Sequence, residues 1–292
     1  MDPPIGAEAL AASLDGWRPG SVETTRRVDP WPAEAFADLL DTPAPPSLRP
    51  GDPLPPLWHW FTLLDHPPQS AIGADGHPTA GPFLPPIPGR RRMFAGGRLR
   101  QDAPIPVGAQ LTGRSGVGGV SVKSGRSGAM AFVTVRHELL VDGVPVGFEE
   151  QDLVYRSEPD GAAARAPARP GDGAGPTGPW RLELSTDPVL LFRFSALTYN
   201  GHRIHYDHQY ATQVEGYPGL VVHGPLLALL ALELPRVHAP DRPVRTLDYR
   251  LVRPVFVPSS IVGVGRPEGN AVEAAVGARG GGPSLTATLG LA

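Results

Sequence analysis

The chain has 292 residues, enough for one large domain or two modest ones, with a formal charge of -3 and no cysteine. That charge gives no reason to expect nucleic acid or an anionic membrane surface as partner. A small-molecule substrate fits that charge better, and the missing cysteines exclude disulfides, thiolate-ligated metals and a cysteine nucleophile.

The first residues (MDPP) carry no basic stretch followed by an apolar core. No secretory signal is expected, and the cytoplasm is the default location. The 36 glycines and 37 prolines stand between apolar segments, which reads as many turns rather than disorder. Of the 26 basic residues only Lys123 is a lysine, a bias of GC-rich bacterial genomes rather than a sign of function.

In chain order, residues 31–40 (WPAEAFADLL) predict a helix. Residues 105–111 and 117–122 read as short strands separated by glycines. Residues 129–141 and 144–156 are strand-like on either side of Asp142-Gly143, a dipeptide that supplies positive φ in a tight turn, so they predict a hairpin. The segment 157–178 has almost no large apolar residue and is expected to be an exposed linker between an N-terminal unit, 1–156, and a C-terminal unit, 179–292. Beyond it, residues 180–184 and 190–194 are strand candidates. The apolar run 220–234 is broken by His223, Gly224, Pro225 and Glu233 and falls short of the roughly 20 residues of a membrane span, so it predicts a buried helix. Residues 245–257, 260–265, 272–276 and 284–291 supply further strands. Each half therefore ends in strands that follow helical or loop material, the order of an α+β chain.

The chemistry concentrates in residues 192–224 (FRFSALTYNGHRIHYDHQYATQVEGYPGLVVHG), where four of the nine histidines fall. Histidine changes charge near neutral pH, so this cluster around a glycine turn is a candidate acid–base site, with solvated or structural histidines as the competing reading. His202 and His205 are three apart. No acidic third ligand stands at a recognised metal spacing and HEXXH is absent, so no metal is expected.

The run YNGHRIHYD followed by His223-Gly224 resembles the hydratase-2 signature of MaoC-like hot-dog enzymes, in the branch of mesaconyl-C4-CoA hydratase, itaconyl-CoA hydratase and type 2 hydroxyacyl-thioester dehydratase. The segments LPPLWHWFTLLD, RRRMFAGGRL, KSGRSG and EEQDLVYR of the first half resemble the degenerate first half of the same proteins. The resemblance implies a double hot dog, two curved antiparallel sheets each wrapping a central helix, with the second unit catalytic. It implies a hydro-lyase that adds water across, or removes it to form, the double bond of an enoyl thioester. The favoured substrates are itaconyl-CoA or mesaconyl-CoA, and no cofactor is needed beyond coenzyme A as part of the substrate.

By the same resemblance His205 is the acid–base residue, and the aspartate of the wider signature is replaced by Asn200. An amide cannot transfer protons, so Asn200 is a positioner, and His205 works alone or with His202, Tyr199 or Asp207. Gly224 offers a backbone N–H to the thioester oxygen at the start of a helix whose Pro225 needs no N–H there, with His223 beside it, or is a simple helix-entry glycine. Arg203 faces a substrate carboxylate or forms a surface salt bridge. Arg90, Arg91 and Arg92 contact coenzyme A phosphates or form a solvated loop. Trp58, Trp60 and Phe61 are expected in the core rather than the site. Alternatives are dehydration of an (R)-3-hydroxyacyl chain on acyl carrier protein, a thioesterase, and a non-catalytic acyl-thioester binder; a homodimer is compatible with the fold.

Overall fold

A computed structural model describes residues 6–42, 44–125, 128–157 and 176–292. Five strands form the first half: β1 (Val22–Arg27), β2 (Arg90–Gln101), β3 (Gln110–Gly125), β4 (Gly128–Val141) and β5 (Val144–Ser157). Five more form the second: β6 (Trp180–Thr186), β7 (Val244–Leu251), β8 (Ser259–Glu268), β9 (Ala271–Ala278) and β10 (Leu285–Leu291). Within each half the lateral order is first, third, fourth, fifth, second. The halves meet edge to edge through β2 and β7 in one ten-stranded antiparallel sheet, β1-β3-β4-β5-β2-β7-β10-β9-β8-β6. This is the double hot dog, and joining the halves leaves neither β2 nor β7 as an open edge.

The seam explains the Gly96-Gly97 pair of RRRMFAGGRL. Gly96 has φ +153° at a bulge in β2, and a Cβ there would stand 2.3 Å from the Tyr249 carbonyl oxygen of β7. Only glycine lets the two sheets approach that closely.

The expected hairpin is β4–β5, with Asp142 (φ 47°) and Gly143 (φ 82°) at its turn. The two short strands expected before it are not both present. Residues 117–122 lie inside the single strand β3, which absorbs its glycines in a bulge after Val117, while most of 105–111 precedes the strand. Of KSGRSG, residues 126 and 127 lie outside the described residues, as does most of the expected linker, 158–175.

Helices fill the concave side. In the second half, α4 (Gly224–His238) buries every residue from Leu226 to Pro235 against β6–β10. Its charged member Glu233 is neutralised one turn on by Arg236. The first half is covered by shorter pieces: α1 (Ala7–Ser13), whose Leu10 and Leu14 meet Ala131, Val133 and Val135, and α2 (Pro30–Leu40), which packs on α3 (Pro188–Leu197) and on the 3₁₀ turn Trp58–Phe61. Phe36, Trp58, Phe61 and Phe194 form one aromatic cluster across the two halves, so Trp58 and Phe61 are core residues as expected. No helix of the described residues is long and apolar enough to cross a membrane.

One expectation is reversed. Residues 190–194 are not a strand but the body of α3, whose N-cap Asp187 accepts from the Leu190 N–H at 2.8 Å, with Pro188 at the first turn. Asp-Pro is a helix-start signal, and it outweighs the short apolar run that reads as β. The strand expected over 245–257 likewise stops at Leu251.

Candidate active site

α3 ends at a turn in which Tyr199 adopts φ 50° and the Asn200 side-chain oxygen accepts from the His202 N–H at 3.0 Å. This Asx turn aims the chain into the 3₁₀ turn Arg203–His205. His205 is buried, and its Nδ1 donates to the Val221 carbonyl at 2.7 Å. Val221 is itself held by its N–H to Ile204 and a bridge to Phe256. With Nδ1 committed, Nε2 carries the lone pair.

His205 stacks on His223, ring centroids 3.7 Å apart, and His223 Nε2 meets the Ser195 hydroxyl at 2.9 Å. His223 is the N-cap residue of α4, so Gly224 supplies the first N–H of that helix, a group no helical carbonyl can accept. Burial brings His205 down to about 4, the Val221 carbonyl opposing, and holds His223 well below the usual imidazole range, helped by His205 beside it. Both rings are therefore neutral at pH 7, as a proton acceptor requires.

The first half contributes a loop over residues 72–78, closed by a bridge between Ile72 and Pro78. The Arg203 backbone N–H donates to the Asp75 carbonyl at 2.9 Å, and the Arg203 guanidinium reaches the Ala74 carbonyl at 2.9 Å. Gly76, with φ +90°, lies so close to the 200–203 turn that a Cβ would stand 1.8 Å from the Gly201 carbonyl oxygen. The loop is thereby fastened to the histidine block. We expect Gly76→Ala to push the two apart, lowering stability by about 1–3 kcal/mol through strain and contact loss and cutting turnover. Denaturant midpoints and steady-state rates check both.

In that loop Asp75 Oδ2 accepts from His77 Nδ1 at 2.9 Å. His77 stands 3.9 Å from the His202 ring, and His202 5.4 Å from that of His205. Burial raises Asp75, but the side-chain and backbone hydrogen bonds of His77 outweigh it and hold the carboxyl at about 2. The donor atoms of Asp75, His77 and His202 come within 4.8 Å of one another. Within this group Asp75 and His77 are hydrogen-bonded to each other, and the His202 ring packs on His77 at a tilt of 38°.

A cleft of about 1260 Å³ receives these parts, with Asn200, Arg203, His205 and Gly224 from one side and Trp60, Asp75, His77 and Arg91 from the other. Arg91 is paired with Glu215. Arg203 is committed to Asp207 at 2.8 Å, to Ala74, and to the face of Tyr210 at 4.0 Å, which makes it a tie between the halves and turns Asp207 toward Arg203 rather than His205. Arg90 lies apart, donating to the Thr79 and Pro85 carbonyls beside a smaller cleft. Tyr199 is exposed. Sequence reasoning missed Asp75 and His77, although Asp-Gly-His in a turn was the available signal. It also missed the buried pair His59–Glu149 at 2.7 Å, behind the Trp60 that lines the cleft.

The family model of hydroxyacyl-thioester dehydratase type 2 matches residues 57–257. A mesaconyl-C(4)-CoA hydratase of Chloroflexus aurantiacus is 45% identical over 261 residues, 89% of this chain and 91% of that protein. Among solved structures, a MaoC-like dehydratase from Phytophthora capsici superposes with a TM-score of 0.67 at 15% identity, covering 96% of this chain and 97% of that one. A Mycobacterium tuberculosis protein described as a double hotdog fold gives 0.58 at 16% identity, covering 96% and 97%. These two likenesses carry the fold. The chain belongs to the hydroxyacyl-thioester dehydratase type 2 family and is a hydro-lyase.

Proposed function

We propose that the chain hydrates the double bond of an enoyl-CoA, or runs the same step in reverse, with itaconyl-CoA or mesaconyl-CoA as favoured substrate. The observation that carries the site assignment is His205, its Nδ1 fixed on Val221 and its ring stacked on the residue that opens α4. Water attacking the β-carbon gives a proton to His205 Nε2, while the Gly224 N–H and the positive end of α4 stabilise the negative charge growing on the thioester oxygen. Asn200 spends its oxygen on His202, which leaves its NH₂ to orient the water or the acyl group. The cleft has room for an acyl thioester and part of its arm. The dicarboxylyl preference rests on the likeness to the mesaconyl-C(4)-CoA hydratase, since Arg203 and Arg91 line the cleft but already hold Asp207 and Glu215.

The test is to incubate the protein with itaconyl-, mesaconyl- and crotonyl-CoA and follow loss of the enoyl-thioester chromophore. Turnover of one of the dicarboxylyl thioesters in preference to crotonyl-CoA is expected. No turnover of any overturns the substrate reading, and activity confined to thioesters on acyl carrier protein would move it to a carrier-bound chain. Because His205 sits at about 4, acidification through the neutral range should not cost hydration its proton acceptor. That loss should come only as pH drops through about 4, where Nε2 becomes protonated. A pH profile of kcat/KM checks this; an acid limb near the ordinary imidazole value would contradict it.

A further inference from the structure

The geometry points to Asp75 and His77 as a second acid–base pair of this active site, supplied by the first half of the chain, which provides the carboxylate–imidazole couple that Asn200 denies to His205. The inference rests on the hydro-lyase reading above and deepens it.

Three observations carry it. Asp75 Oδ2 accepts from His77 Nδ1 at 2.9 Å, so Nε2 is the nitrogen left for chemistry, the arrangement by which a carboxylate orients a working imidazole. Both residues line the same cleft as His205 and Gly224. The loop that holds them is fastened to the catalytic turn at atomic contact, through the Arg203 N–H on the Asp75 carbonyl, the Arg203 guanidinium on Ala74, and Gly76 packed on Gly201.

The step balances with two imidazoles. In hydration, a water lone pair forms the O–Cβ bond and the water proton passes to His205 Nε2. The π pair moves through the enolate to Cα, which takes the proton from Nε2 of His77, protonated at the start and paired with the Asp75 carboxylate. One proton enters at His205 and one leaves from His77, and exchange through water in the cleft returns it between turnovers. Dehydration is the reverse, with His77 accepting the Cα proton.

The groups around His77 set the pH response. Asp75 favours its imidazolium. Arg92 of β2 and burial oppose it, burial being the larger, so the ring lies below the ordinary imidazole value. His202 and His205 stand on the side of the second half, and Arg90 and Tyr155 line the small cleft behind. Asp75 also faces Tyr210.

The alkaline limb of hydration therefore belongs to His77, and removing the Asp75 charge must move it to lower pH. The experiment uses the whole chain with the best thioester of the panel above. His77→Ala is expected to lower kcat by about 10²-fold or more with KM little changed. Asp75→Asn is expected to shift the alkaline limb of kcat/KM downward, and Asp75→Glu to restore it. A merely structural role would not move that limb. If His77→Ala loses activity through misfolding, the Asp75→Asn profile still decides. A wild-type rate in His77→Ala, or an unmoved limb in Asp75→Asn, overturns the pair while leaving the hydro-lyase reading in place. A wild-type chain inactive on every thioester fails that reading itself, and the pair with it.

Discussion

Replacing His205 by alanine is expected to lower kcat for thioester hydration by about 10²- to 10⁴-fold, the scale of a positioned general acid–base group. The cleft walls and the Gly224 N–H survive the change, so KM should move far less than kcat. In the proposed mechanism the imidazole has two jobs, since Nδ1 donates to the Val221 carbonyl and Nε2 is left to take the proton. His205→Gln separates them: it keeps an amide donor for Val221 but has no group that accepts a proton at neutral pH. Both variants should therefore be slow, and the glutamine variant should also unfold at a midpoint close to wild type. A loss smaller than about tenfold in both would overturn the role given to this residue. It would favour the reading of the fold as a non-catalytic thioester binder.

The largest effect on stability is expected at Glu149. Its carboxylate is fully buried on β5 and accepts from His59 Nε2 at 2.7 Å, Trp60 Nε1 at 2.8 Å and Gln151 Nε2 at 2.7 Å. Burial raises Glu149, but the His59 hydrogen bond and the charges of His59 and His137 outweigh it, so the group lies below the ordinary carboxylate value. Glu149→Ala leaves the indole and imidazole donors buried without their acceptor. It should cost about 3–5 kcal/mol, the range for breaking one side of a buried pair, read as a lower denaturant midpoint. The sign with pH follows from the depressed value: Glu149 contributes its stability above the ordinary carboxylate range and loses it as pH falls through and below that range. Wild type should thus lose stability in acid more steeply than Glu149→Ala. Parallel curves would mean that the carboxylate is not what the three donors stabilise.

Parts of both halves were legible from residue order because their signals are local. Asp142-Gly143 carries the turn of β4–β5 in its own φ preference, and His223-Gly224-Pro225 marks the start of α4 by what each residue can donate. The failures lie where tertiary context decides. Residues 190–194 have a short apolar pattern that suits strand or helix, and the Asp187 cap with packing on α2 settles it as α3. The glycines of β3 look like breaks in isolation, but become a bulge once β4 pairs alongside. Arg203 reads as either a substrate contact or a surface salt bridge until Asp207, Ala74 and Tyr210 are placed around it.

The sequence by itself determined the reaction class and the block that carries it through the resemblance of YNGHRIHYD and His223-Gly224 to the hydratase-2 signature, and Asn200, His205 and Gly224 lie within 25 residues of one another, so one local run holds the match. Only the tertiary structure decided which groups accompany them. Asp75 and His77 stand more than 120 residues away along the chain and belong to the other half. What brings them to the cleft is the joining of two sheets at β2 and β7 and a glycine contact across the halves. Such proximity is a property of strand order and close packing, and no local periodicity records it.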